Sequence, residues 1–153
     1  MGISLQKGAN VSLDKAAPGM SKIIISLGWD ERQTDGVDFD LDASVFLLGQ
    51  VDRVKSDLDF IFYNQLSSTC ESIVHQGDNL TGSGDGDDEE VHVDLPSIPA
   101  EVKKVSSAVS IHDAFSRRQN FGQVSNAYIR ILNQENTEEI ARYDLTEDYS
   151  VET

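Results

Sequence analysis

The segment Asp38-Phe39-Asp40-Leu41-Asp42-Ala43-Ser44-Val45 alternates polar and apolar residues with a period of two. In an extended chain, successive side chains point to opposite faces. Phe39, Leu41, Ala43, Val45 and Leu47 therefore share one face, and Asp38, Asp40, Asp42 and Ser44 share the other. A chain carrying this segment must bury the first face in a core of strands. It must also find an environment for a row of carboxylates spaced by roughly 7 Å.

The same period runs through most of the chain. Strands are expected over 22–29, 39–47, 58–63, 72–76, 90–95, 105–112, 126–132 and 138–145, with further short ones at 3–5 and 11–13. Such runs of β-branched and aromatic residues bounded by turn residues are the signature of strands. Helical signal is confined to single turns, one from Pro99 through Lys104 and one over 113–119. The expectation is an all-β, single-domain antiparallel β-sandwich spanning residues 1–153, with one or two short helical turns.

Charge narrows the function. The chain of 153 residues holds 27 acids and 12 bases, for a formal charge of −15. Nucleic-acid affinity rests on Lys and Arg displacing counterions, so a nucleic-acid partner is excluded. An anionic membrane surface would also repel the chain unless a cation bridged the two. No apolar run approaches the ~20 residues of a membrane span, and no N-terminal secretory signal is recognisable. The single cysteine, Cys70, forms no internal disulfide and suits a reducing, cytoplasmic setting.

The charge is also local. Residues 30–42 and 78–90 together hold 12 of the 27 acids in 26 residues. Two carboxylates about 4 Å apart repel by roughly 1 kcal/mol in water and about 4 kcal/mol at the effective dielectric of a protein surface. A fold that packs these segments together needs a counterion. The first segment offers Asp38, Asp40 and Asp42. The second offers Asp78, Asn79, Asp85, Asp87 and Glu89, together with carbonyls such as those of Leu80 and Gly82 in a glycine-rich loop. Ca²⁺ takes 6–8 oxygen ligands of this mixed kind, and two ions are expected. Zn²⁺ and Cu²⁺ prefer Cys and His, whereas His75, His92 and His112 lack ligand spacing. From these residues alone, an acidic loop that only keeps the chain soluble is the competing reading, and Mg²⁺ is the competing ion.

Longer motifs carry a resemblance. They are Leu27-Gly28-Trp29-Asp30, Asp38 through Ser44, Phe62-Tyr63-Asn64, His75 with Gly77-Asp78-Asn79-Leu80-Thr81-Gly82, and Gly84 through Glu89. Phe121-Gly122, Asn126-Ala127-Tyr128-Ile129-Arg130 and Arg142-Tyr143-Asp144-Leu145 continue the series. In this order, over essentially the whole chain, they resemble the TerD family of bacterial tellurium-resistance and stress-response proteins. Thr69-Cys70-Glu71 departs from the family pattern, outside the acidic segments.

The resemblance implies a β-sandwich that binds Ca²⁺ through the two acidic segments and has no established enzymatic activity. It also implies association with tellurite and other chemical stresses, and partners among stress-response and tellurite-resistance proteins in a membrane-associated or multi-protein stress complex. Asp40 and Asp38 rank first as ligands, Asp42 below them. Asp88 is expected in solvent and Asp30 as a neighbour of the ligands. Trp29 reads as a core or rim residue, and Arg117-Arg118 as a solvated turn or a docking pair.

Two other functions compete. A Ca²⁺-dependent phospholipid-binding module needs apolar or basic loop tips, and the 77–90 loop supplies only Leu80. A metal-dependent hydrolase needs a nucleophile or base beside the acids, and no Ser/His or Cys/His arrangement stands out.

Overall fold

The computed structural model describes residues 2–6, 8–84 and 86–145. Among the described residues nine strands carry the fold: β1 (Ile3–Ser4), β2 (Lys22–Gly28), β3 (Leu41–Leu48), β4 (Phe60–Ile61), β5 (Ile73–His75), β6 (Glu89–Asp94), β7 (Lys104–Ile111), β8 (Tyr128–Asn133) and β9 (Glu139–Asp144). One-turn helices α1 (Leu13–Ala16) and α2 (Ala114–Arg117) and three 3₁₀ turns complete it. A six-stranded sheet has the order β1-β9-β8-β2-β6-β5, and a three-stranded sheet has the order β4-β3-β7.

Both sheets feed one core. Ile23, Ile25 and Leu27 of β2 with Val91 and Val93 of β6 join Leu41, Ala43, Val45 and Leu47 of β3 in a single buried cluster. Each fully buried Val, Leu or Ile side chain contributes about 1.5–3 kcal/mol. That burial fixes the register, because a slip by one residue would put the carboxylates of β3 into the core. Leu41 therefore pairs with Ile111 and Asp42 with Ser110.

The structure corrects several expectations. Most pairings are antiparallel, but β1 joins β9 in parallel, so the six-stranded sheet is mixed. Residues 13–16 form α1 where a strand was expected at 11–13. In 58–63 only Phe60 and Ile61 form a strand. Phe46, Phe60 and Phe62 stack there with centroids 4.6 and 4.5 Å apart, so aromatic contact replaces much of the ladder. Over 99–104 a single hydrogen-bonded turn forms, with Val102 N donating to Pro99 O at 3.0 Å, and a 3₁₀ turn precedes it at Leu95–Ser97. Among the described residues, no helix is long and apolar enough to cross a membrane.

Candidate metal centre

Asp40 stands just ahead of β3 and is placed by its backbone. Its carbonyl accepts from His112 N at 2.7 Å, extending the β3–β7 ladder by one step. The approach to it is fastened by its carbonyls. Gln119 Nε2 donates to Val37 O and Asp38 O at 2.8 and 3.2 Å, Arg32 Nη1 to Val37 O at 2.9 Å, and Trp29 Nε1 to Phe39 O at 3.0 Å. Phe39 is buried under the Arg32 guanidinium, 4.9 Å from its ring centroid.

The second acidic segment folds over this site. Glu89 begins β6 on the core face and is only 2% exposed. Its Oε2 accepts from Ala43 N of β3 at 3.0 Å, and its Oε1 accepts from Asn79 N of the loop at 3.2 Å. One buried carboxylate thus joins both sheets and the loop. His75 is buried beside it and accepts from Gly77 N through Nδ1 at 3.1 Å. That bond leaves the proton on Nε2, which lies 3.5 Å from Glu89 Oε2.

This scaffold gathers one carboxylate oxygen each from Asp40, Asp42 and Asp78, all within 4.8 Å of one another. A group this close could hold an ion, since metal–oxygen distances of 2.3–2.6 Å place two ligand oxygens up to about 5 Å apart. Asp40 and Asp42 are buried and Asp78 is exposed, so the cluster opens on one side. The Oδ1 of Asp40 is buried without a hydrogen-bond partner. Leaving a buried charged acceptor unpaired is costly, so this oxygen is a candidate ligand for a cation. The fixed positive groups nearby stand off: Arg117 Nη1 is 4.0 Å from Asp40 Oδ2, and His112 Nδ1 is 4.0 Å from Asp42 Oδ2.

Proton affinity records the crowding. Burial, reinforced by Asp40, Glu89 and Asp78, pushes the Asp42 carboxyl up to about 7. Burial and the neighbouring Glu89 carboxylate push Asp78 up to about 6. Burial raises Asp40 as well, against the pull of His112 and Arg117. Oxygen-only donors suit a hard divalent cation, whose charge would favour the ionised carboxylates and displace their protons.

A model of the TerD domain matches residues 1–153. The chain belongs to the TerD family. It is 59% identical to tellurium resistance protein TerD of Serratia marcescens over 153 residues, covering all of this chain and 80% of that protein. It is 57% identical to general stress protein 16U of Bacillus subtilis over 154 residues, with the same coverage. The crystal structure of a TerD homologue from Streptomyces coelicolor A3(2) shares the fold with a TM-score of 0.70. That match has 21% identity and covers 84% of this chain and 73% of the other.

Within this TerD fold the candidate residues divide. Asp40, Asp42 and Asp78 come together. Asp38 is exposed. Asn79 spends its amide oxygen on the loop, accepting from Thr81 N and Gly82 N at 3.1 and 3.0 Å. Leu80 is exposed at the loop tip. Gly82 is buried with φ +74°, and a Cβ there would collide with the Trp29 indole, so only glycine fits. Asp85 lies outside the described residues.

Asp87 accepts from Tyr128 Oη at 2.6 Å and from Arg130 Nη2 and Nε at 2.8 and 3.1 Å, which latches the loop to β8. Burial alone would raise its carboxyl, but Arg130 and Tyr128 outweigh burial and hold it below the usual range. Glu89 is structural in its hydrogen bonding, as described. Asp88 is not free in solvent; its Oδ2 accepts from Trp29 N at 2.9 Å. Asp30 accepts from Asn126 Nδ2 at 2.6 Å. Neither the His75–Glu89 contact nor the Trp29–Gly82 packing was legible beforehand, because each joins separate segments and leaves no periodic pattern.

Proposed function

We propose that the chain is a non-enzymatic Ca²⁺-binding protein of a stress-response and tellurite-resistance system. In this reading its two sheets are the layers of a β-sandwich. Asp40, Asp42 and Asp78 hold an ion, and Asp38 and the Leu80 and Gly82 carbonyls are further oxygen donors on the same two segments. The observation that carries the reading is the buried, unpartnered Asp40 Oδ1 within a three-carboxylate cluster. Membership of a family whose named members include tellurium-resistance and general stress proteins supports the biological setting. The partners are other proteins of such systems, and the working place is the cytoplasm.

The mechanism follows from repulsion. Without an ion the two acidic segments push apart; with one they are clamped, and the loop over 77–88 is ordered for a partner. Binding to the folded state alone stabilises it by about 2.7 kcal/mol at a hundredfold excess over Kd. Calorimetric titration with Ca²⁺ should therefore show binding that Asp40→Asn and Asp78→Asn weaken, with a matching rise in melting temperature. Equal melting in EDTA and in excess Ca²⁺ would overturn the reading.

A further inference from the structure

Each sheet ends on two edges, and among the described residues β7 differs from the other three edge strands. β1 and β4 are only two residues long. At β4 the Gln65 Nε2 donates to Phe60 O at 2.6 Å. β5 is three residues long and is covered by the chain over 66–68: His75 N donates to Leu66 O at 2.6 Å and Ser68 N to Ile73 O at 3.0 Å. β7 is eight residues long, pairs with β3 in one unbroken register, and has no strand on its other side. It holds no proline and no acid, and its one charge, Lys104, stands at its start. Edge strands are normally short, charged, bulged or covered, because a bare row of amides and carbonyls pairs readily with another strand.

The groups on that open side can be named. His112 N donates to Asp40 O at 2.7 Å, in step with the β3–β7 register. In an antiparallel ladder, opposed residues that exchange both bonds alternate with opposed residues that exchange none. Ser106, Ala108 and Ser110 therefore turn their backbone groups to β3, and Val105, Ser107 and Val109 turn theirs outward. The bond from Ala43 N to Glu89 Oε2 agrees, because it shows an odd-numbered amide of β3 facing away from β7. Ser107, Ala108 and Ser110 are exposed and Val105 and Val109 half-buried, whereas Ile111 is buried, so the open edge stops short of it.

We propose that this edge pairs with β7 of a second copy of the chain, antiparallel about a two-fold axis at Ser107. Val105 then pairs with Val109 of the second copy, and Ser107 with Ser107. The two three-stranded sheets become one continuous sheet. This centre lets all three outward residues pair with one another. It also sets Ser106 against Ala108 where opposed strands come closest, at about 4.5 Å between Cα atoms, and small side chains fit there.

Charge selects a second copy as the occupant. β7 is entered through the exposed Lys103 and Lys104 and left through His112 and the exposed Asp113, with Asp42 beside Ser110. Antiparallel copies bring each basic end to the acidic end of the other. A uniformly basic strand would oppose Lys104, and a uniformly acidic one would oppose Asp113; β7 carries the complement of both ends. The formal charge of −15 on each copy works against the contact. None of the acids lies in β7, however, and at about 0.15 M salt charges more than about 8 Å apart are largely screened.

The test is sedimentation velocity of the full chain over a range of concentrations at about 0.15 M salt, in EDTA so that cation binding plays no part. A concentration-dependent rise to the dimer mass is expected. Hydrogen exchange locates the contact: the amides of Val105, Ser107 and Val109 should slow as concentration rises, while those of Ser106 and Ala108, already bonded to β3, should not change. Ser107→Pro removes one outward amide from each copy, hence two bonds per dimer, and should weaken association about 10- to 100-fold. Ala108→Lys, at an exposed position, sets like charges beside the axis and should weaken it while melting as the parent does.

A monomer at every concentration overturns the pairing, whatever Ca²⁺ does to the cluster, and leaves the edge to an extended segment of another protein. A dimer that Ala108→Lys leaves intact, or one in which the Ser107 amide exchanges as fast as in the monomer, also overturns it, because the contact then lies elsewhere.

Discussion

At Asp87 a half-buried carboxylate meets a guanidinium and a phenol; at Asp42 a buried carboxylate meets two more carboxylates in its own cluster. The first is held below the ordinary carboxylate range and the second is pushed up to about 7. Tyr128, its own titration pushed up to about 12, stays a donor to Asp87. The difference separates an acid satisfied by partners within the fold from acids crowded against one another. Arg130 completes Asp87 within the fold, whereas the Asp40–Asp42–Asp78 group is left short of positive charge.

Removing the latch should have the largest effect. Arg130→Ala leaves Asp87 without its guanidinium and should cost about 3 kcal/mol in urea denaturation. A cost near zero would erase the contrast between the two acids. Asp42→Asn should act in the opposite direction. In EDTA at pH 8 it removes a crowded charge and should stabilise the protein by about 1–3 kcal/mol, while the Ca²⁺-dependent rise in melting temperature is lost. Destabilisation in EDTA would break the comparison from the other side.

The third effect is a dependence on pH. Asp42 and Asp78 have folded-state pKa values of about 7 and about 6, above the ordinary value of 3.8. Protonation therefore favours the folded form. The contribution is fully present below the unfolded value and is lost as pH rises through the folded values. Metal-free protein should melt lower at pH 8 than at pH 5, and excess Ca²⁺ should shrink that difference. A flat profile in EDTA would show that the cluster carries no strain. The smallest effect belongs far from both acids. Cys70, 2.8 Å from Ser72 Oγ, has no place in the cluster, so Cys70→Ser should change stability by less than about 0.5 kcal/mol and leave Ca²⁺ binding intact.

The legible part of the sequence was the part with one buried face. In β3, Leu41, Ala43, Val45 and Leu47 are buried in a strict alternation, and β2 and β6 fall close to their expected positions. Residues 58–63 misled because Phe60 and Phe62 stack on each other and the chain turns back between Phe62 and Gln65, which ends the strand after Ile61. The parallel joining of β1 to β9 depends on a two-residue contact with no pattern of its own.

At the site, alternation put Asp38, Asp40 and Asp42 on one face. It did not say that Asp38 would end in solvent, or which acid of the second segment would meet a positive group. Asp87, Asp88 and Glu89 are neighbouring acids, yet they go to Arg130, to the Trp29 amide and to the core. Those fates are set by strands far away in the chain.

Glu89 has a consequence for how the molecule opens. Its two oxygens hold the Ala43 amide of the three-stranded sheet and the Asn79 amide of the loop, while its backbone belongs to the six-stranded sheet. Neither amide can meet solvent through that contact unless the carboxylate lets go. In hydrogen exchange they would be a matched pair of clocks, and the gap between them would measure how far the loop opens before the sheets part.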